Sequence, residues 1–286
     1  MSENPNAEQI RYWNEQAGPK WVAARSALDA MLGPIGEGAI AHAAPRKGER
    51  ALDVGCGNGR TTLALARACE SKGDVVGIDI SAPLLALARA DATDAGLARP
   101  PRFIEADAQS ADFGPARFDL VFSRFGVMFF ADPVQAFRNL RRAQAPDGRL
   151  VFVCWQAMAA NEWMRLPLEA VGNVLSLPPP SPPNAPGPFA FAERNHVRTI
   201  LASAGFAAIK IEARSGLLAL GGTTDLDAAT EFALQVGPAA AALRTAPAAL
   251  CTAAREAVRA ALAPRASSGG AVALAGAWWL VHARAE

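Results

Sequence analysis

The sequence predicts an α/β fold built on a mostly parallel sheet, and three observations carry that prediction. Between residues 50 and 155, short apolar runs of strand length alternate with segments of helical period. The first run breaks into a glycine-rich turn, Gly55-Cys56-Gly57-Asn58-Gly59, and restarts as a helix. Carboxylates then recur at successive strand ends, Asp79 and Asp107. Strands alternating with helices pair in parallel through right-handed crossovers.

At 286 residues the chain is long enough to bury a sizeable core as one domain. Its formal net charge of +1 supplies no field for nucleic acid or an anionic membrane. No stretch is apolar enough to span a bilayer, and the polar start MSENPNAEQIRYWNEQ does not read as a signal peptide. Cys56, Cys69, Cys154 and Cys251 lack metal-ligand or C-x-x-C spacing and read as single buried thiols. A cytoplasmic protein without nucleic-acid partner, membrane insertion or metal, monomeric or homodimeric, is the expectation.

Residues 7–32 read as helix, with Ile10, Trp13, Ala17, Trp21, Ala24 and Leu28 near one face and a break at Gly18-Pro19. A second helix is expected over 36–44. The first strand leads through Leu52-Asp53-Val54 into the glycine turn, whose helix shows apolar spacing from Thr62 onward. Val75 to Asp79 is a second buried strand. Ser81, with Pro83 in the first turn, then caps a helix that stops at Gly96. Arg102 to Glu105 is a short third strand, followed by Ala106-Asp107-Ala108. Phe118 to Ser123 is the fourth, and Asp132-Pro133-Val134-Gln135 carries a helix-start pattern. Arg124 to Phe130 is therefore a loop at the carboxyl end of a central strand, where open α/β sheets place ligands. It is unusually apolar. A fifth strand, 148–155, ends in Cys154-Trp155, and a helix is expected over 161–175. The proline run from Leu177 to Pro188 reads as a stiff surface connection to a helix ending near Ala204. A sixth strand, 207–220, precedes helical segments over 225–234 and 247–262, and Ala277 to Ala283 is the last strand.

The turn decides what class of ligand is bound. A dinucleotide fingerprint requires glycine where Arg60 stands. What stands instead is D-x-G-x-G-x-G, and LDVGCGNG resembles the first motif of class I S-adenosylmethionine-dependent methyltransferases. The resemblance is good over 50–155 and looser over 7–48 and 190–286, where the ubiquinone/menaquinone methyltransferase-like group is nearest. It implies a Rossmann-like seven-stranded sheet, mostly parallel with the last strand antiparallel. Within one domain, 1–286, residues 1–48 would form an N-terminal helical lid and 49–155 the cofactor core. Residues 156–192 and 223–266 would be helical cap insertions, and 205–222 and 271–284 the closing strands.

Asp79 at a strand's end can accept two hydrogen bonds from vicinal ribose hydroxyls. Helix capping is the alternative role, but Ser81 already stands in the cap position. The resemblance adds Ile80 and Leu84 as adenine walls, and Asp107 between Ala106 and Ala108 as acceptor from the adenine amine. It further makes Asp53, Gly55 and Ser123 candidates for the methionine end, with Cys56, Gly57, Asn58, Gly59 and Thr62 in the turn. Tyr12 and Trp21 of the lid and Arg124 and Phe125 complete the expected cofactor set. For the acceptor, Phe125, Met128, Phe129, Trp155 and Trp163 are expected to wall the cavity.

The reaction implied is transfer of a methyl group from S-adenosylmethionine, releasing S-adenosylhomocysteine, to a small apolar or aromatic acceptor by in-line attack. Aromatic faces suit a sulfonium, and no general base stands out among His42, His196 and His282. No N-P-P-Y or D-P-P-Y stands at Ser123, and no cysteine set suits arsenic. A binding module that uses the cap as a partner surface, or another group transfer on the same scaffold, is the alternative.

Overall fold

Seven strands form a single mixed sheet in the order β3-β2-β1-β4-β5-β7-β6. The computed structural model describes residues 5–222, 225–244 and 246–285. Residues 1–4 of the expected lid, and 223, 224 and 245 of the expected second insertion, lie outside the described residues. The strands are β1 (Arg50–Val54), β2 (Asp74–Asp79), β3 (Arg102–Glu105), β4 (Phe118–Arg124), β5 (Gln144–Trp155), β6 (Phe206–Ala219) and β7 (Ala273–Ala285). β1 to β5 pair in parallel, and β7 runs antiparallel to both neighbours, β5 and β6. The central strands are apolar on both faces because helices cover both. Leu52, Leu120, Val121, Phe122, Val151 and Phe152 are fully buried.

The N-terminal segment departs from the expected helix pair. It is built from α1 (Ala7–Arg11), a π-helical turn (Tyr12–Gln16), α2 (Ala17–Ala23) and α3 (Arg25–Ala43). The break falls at Ala24, and Gly18-Pro19 lie in the first turn of α2, where proline's missing N–H costs little. Gly18 is there for close approach: a Cβ would stand 2.2 Å from the Trp13 carbonyl oxygen and 2.7 Å from Ser81 Oγ. The expected gap between helices over 7–32 and 36–44 is absent, since α3 runs unbroken through Pro34. An internal proline costs about 3 kcal/mol. Each large apolar side chain buried recovers about 1.5–3 kcal/mol, and Leu28, Met31, Leu32 and Ile35 are all buried.

The core helices are α4 (Arg60–Cys69), α5 (Ala82–Asp94) and α6 (Pro133–Ala143). Asp132 caps α6 by accepting from the Gln135 N–H at 2.9 Å, as its sequence predicts. Beyond β5 come α7 (Glu162–Gly172) and α8 (Arg194–Ser203), and between β6 and β7 lie α9 (Leu226–Gln235), α10 (Pro238–Leu243) and α11 (Ala248–Leu262). α7 packs against α9, α10 and α11, so two segments distant in sequence make one helical layer. The proline run is not merely a surface connection. Its end folds back, the Gly187 N–H donating to the Met128 carbonyl at 3.0 Å. Of the cysteines, Cys56, Cys69 and Cys154 are buried free thiols, but Cys251 is only half-buried, on the amphipathic helix α11.

Candidate functional site

At the carboxyl ends of β1, β2 and β4 the backbone is brought close by glycine. Gly55 has φ +66°, and a Cβ there would stand 2.6 Å from the Gly126 Cα. A Cβ on Gly126 would in turn meet the Val54 carbonyl oxygen at 2.6 Å. The turns after β1 and β4 therefore touch backbone to backbone, and they form the floor of a cavity.

That cavity is lined by Gly55, Cys56, Gly57, Asn58, Asp79, Ile80, Leu84, Ala106, Asp107 and Ala108 on the strand-end side. Arg124, Phe125, Met128, Phe129, Trp155 and Trp163 continue it, and Trp21 closes over it. Most residues expected at the site from sequence thus meet in one space. Five of them do not line it. Asp53 and Ser123 point into the protein and are fully buried. Thr62 Oγ1 is spent on Asp53 Oδ2 at 2.7 Å. Gly59 packs toward α5 and β3, where a Cβ would meet Ala88 and Phe103. Tyr12 lines a separate shallow pocket with Gln16 and Arg244.

Several lining residues were missed. Trp13, not Tyr12, faces the cavity. The signal was present, because Trp13, Ala17 and Trp21 recur at i, i+4 and i+8 while Tyr12 falls off that face. Trp13 stacks edge-on against Trp21 and Phe129, both at 5.3 Å between centroids. Asn6, Gln9, Asp29, Met164, Pro188, Val236 and Gly237 also line the cavity. They come from segments whose approach to β1 and β4 no local pattern encodes.

The carboxylates are held by the backbone. Asp79 Oδ2 accepts from the Gly57 N–H at 2.7 Å and Oδ1 from the Ser81 N–H at 2.9 Å. Burial nevertheless raises its pKa, with the Gly57, Ser81 and Ile80 backbone bonds opposing. Ser81 occupies the cap position of α5, but its hydroxyl donates to the Trp13 carbonyl instead of capping. Asn14 adds a second clamp, donating to the Ile80 carbonyl and accepting from the Ala82 N–H. Asp107 Oδ1 accepts from the Gln109 N–H and Oδ2 from the Asn6 amide. The N-terminal segment is thereby tied to the ends of both β2 and β3.

Asp53 is fully buried, with Thr61 and Thr62 hydroxyls on Oδ2 and no partner on Oδ1. Burial pushes its pKa up to about 6, against the two hydroxyls and the nearby Arg124 charge. Phe125 holds φ +62°, a conformation that a bulky residue adopts only when its surroundings impose it. Two contacts do so: its N–H donates to the Val153 carbonyl, and its ring stacks on Trp155 at 4.0 Å. Trp155 also meets Trp163 at 5.3 Å. His42 and His282 face each other, 5.7 Å apart, and none of the three histidines lines the cavity. Among the described residues no cluster could hold a metal ion. Among them, too, no helix is long and apolar enough to cross a membrane.

Comparison with known proteins places this geometry. Residues 52–152 match the methyltransferase domain family. Aklanonic acid methyltransferase DauC of Streptomyces sp. strain C5 is 35% identical over 119 residues, 42% of this chain and 54% of that protein. A demethylmenaquinone methyltransferase of Thermus thermophilus is 42% identical over 103 residues, 36% of this chain and 46% of that one. The chain thus matches about half the length of these curated relatives. Among solved structures, the YcgJ protein of Bacillus subtilis superposes with a TM-score of 0.55 at 18% identity, covering 89% of this chain and 97% of that one. The [4+2]-cyclase SpnF superposes at 0.51 with 20% identity, covering 88% and 80%. Residues 52–152 thus carry the methyltransferase domain, and the solved structures share the fold around it.

Proposed function

We propose that this chain transfers the methyl group of S-adenosylmethionine to a small apolar or aromatic acceptor. The observation that carries the reading is one cavity whose two ends differ in chemistry. Bare backbone and carboxylates lie at the strand ends, and Phe125, Met128, Phe129, Trp155 and Trp163 wall the other part. The residues present fit the cofactor. Gly57 has φ +53° and open space where a Cβ would stand, with only Leu84 Cδ1 at 3.9 Å, so a ligand can approach its backbone. Each Asp79 oxygen already holds one N–H and keeps lone-pair capacity for a ribose hydroxyl. Ile80 and Leu84 offer the apolar wall for the adenine, and Asp107 an acceptor for its amine.

The bound cofactor supplies an electrophilic methyl group on a sulfonium. The chain's own part is to hold, orient and exclude water. The charged side chains that line the cavity are Asp29, Asp79, Asp107 and Arg124, burial keeps the Cys56 thiol protonated, and the aromatic wall contributes no proton acceptor. The acceptor therefore brings its own nucleophilicity, as a phenolate, enolate, thiolate or amine. Trp13, Trp21 and Phe129 close the entrance and remove water from it.

Release of S-adenosylhomocysteine across a panel of hydroquinones, phenols, 1,3-dicarbonyls, thiols and amines tests the reading. Turnover with at least one aromatic class is expected. Tight binding of S-adenosylhomocysteine without turnover on any member would instead favour a binding module.

A further inference from the structure

Arg124 is the cavity-lining charged residue whose side chain has no hydrogen-bond or ion-pair partner among the described residues. Its side chain runs between α3 and α4. A Cβ on Gly36 would stand 3.1 Å from Arg124 Cδ and 3.2 Å from Thr61 Cγ2, so glycine at 36 makes room for it. Protein surrounds the guanidinium, yet the residue keeps intermediate exposure and lines the cavity, as a group facing an internal space does. Nη1 is buried with no hydrogen-bond partner, and among the described residues no carboxylate lies within 4.0 Å of the group. Arg149 shows how this protein treats an arginine with a structural role. It bonds both oxygens of Glu49 and the Ala43 and Ala44 carbonyls. A charge set in the interior without such partners is costly, so an unpaired one points to an anion that arrives with a ligand.

Asp29 on α3 lines the same cavity and carries the opposite charge. Its Oδ1 accepts from Asn58 Nδ2 at 3.1 Å, and its Oδ2 stands 4.0 Å from Arg60 Nη1. Arg124 feels the charges of Asp29 and of the buried Asp53, and closes into an ion pair with neither; of the two, Asp29 lines the cavity. A gap flanked by one cation and one anion fits a group that carries both charges on a single carbon.

We propose that Arg124 and Asp29 form a clamp for an α-amino acid zwitterion, the methionine end of the donor, with Arg124 taking the carboxylate and Asp29 the ammonium. The clamp rests on the S-adenosylmethionine reading above and goes beyond it by assigning the methionine end to two residues outside the glycine turn. Asp29 was invisible in the sequence, as one acid on a helix otherwise read for its apolar face.

Calorimetry with S-adenosylhomocysteine and with 5′-methylthioadenosine, which lacks the amino-carboxylate, tests it. Wild-type protein is expected to prefer S-adenosylhomocysteine. Arg124→Met and Asp29→Asn should each weaken that ligand about tenfold to hundredfold, the range for losing a hydrogen bond to a charged group. Both should leave 5′-methylthioadenosine within about twofold, as it lacks the group that either residue would contact. Arg124→Lys, which keeps the charge but loses the two-pronged geometry, should fall between. Ligand-free Arg124→Met should unfold at the same temperature as wild type or higher, because it removes an unpaired interior charge. Equal weakening of both ligands would make the residues structural, and an unchanged preference would assign Arg124 to an acceptor carboxylate. Either result overturns the clamp while leaving the donor reading intact. Wild-type protein that binds neither ligand overturns the donor reading, and the clamp with it.

Discussion

Asp53, fully buried, and Asp79, half-buried, are both carboxylates at the end of a strand, but their surroundings differ. Asp79 is tethered by two backbone N–H groups and faces the cavity. Asp79→Ala is expected to weaken S-adenosylmethionine binding by about 1–3 kcal/mol, as for the loss of a charged hydrogen-bonding group. Unchanged affinity by calorimetry would exclude the ribose contact. Asp53 faces inward and braces the start of α4 through Thr61 and Thr62. Its folded-state pKa of about 6 lies above its ordinary 3.8, so between these values the native state holds a proton that the unfolded chain has lost. Stability from this group is therefore greatest at low pH and falls as pH rises through that window, by about 3 kcal/mol. Asp53→Asn, which keeps an acceptor for the two hydroxyls, should flatten the fall. The check is the difference in melting temperature between wild type and variant from pH 4 to 7. A constant difference would mean that Asp53 titrates normally.

The N-terminal segment is tied to the strand ends at two points, Asn6 and Asn14. Asn6 donates to Asp107 and Gln109 and accepts from the Ala131 N–H, joining the ends of β3 and β4. Asn14 and Ser81 make the equivalent clamp at β2. Asn6→Ala should leave the sheet intact but raise amide exchange over residues 7–23. Exchange unchanged there would show that the aromatic contacts of Trp13 and Trp21 suffice. The floor of the cavity has no such tolerance. Gly126→Val would drive a side chain into the Val54 carbonyl and Gly55, and loss of cofactor binding, read by calorimetry, is the expected outcome. At this scale the sequence was legible where propensity and packing agree, as in α6 with its Asp132 cap. It misled at Gly18-Pro19 and over residues 33–35, the expected gap between two helices, where burial of one helix face outweighs the local break.

Across the whole molecule, the cavity is assembled from segments far apart in sequence: the N-terminal helices, the strand ends of residues 54–130, α7 and the 236–237 turn. A ligand that bridges them stabilises the folded state by mass action, about 2.7 kcal/mol at a hundredfold excess over Kd. Saturating S-adenosylhomocysteine should therefore slow hydrogen exchange in residues 5–23 as well as in the core. Protection confined to 52–152 would mean that the N-terminal segment does not close over the donor.

Local sequence was sufficient for the sheet, its parallel core and the strand-end side of the cavity. These depend on local features: apolar runs of strand length, glycines where the backbone must turn, and carboxylates at strand ends. Asp79 and Asp107 sit where such a pattern puts them. Only the packing of distant segments puts Trp13 and not Tyr12 on the cavity, brings Asp29 and Arg124 to line it together, and carries Pro188, Val236 and Gly237 to it. Those facts follow from the angles at which helices pack on the sheet. Such angles are set by the summed burial of many side chains, and no short stretch of sequence carries that sum.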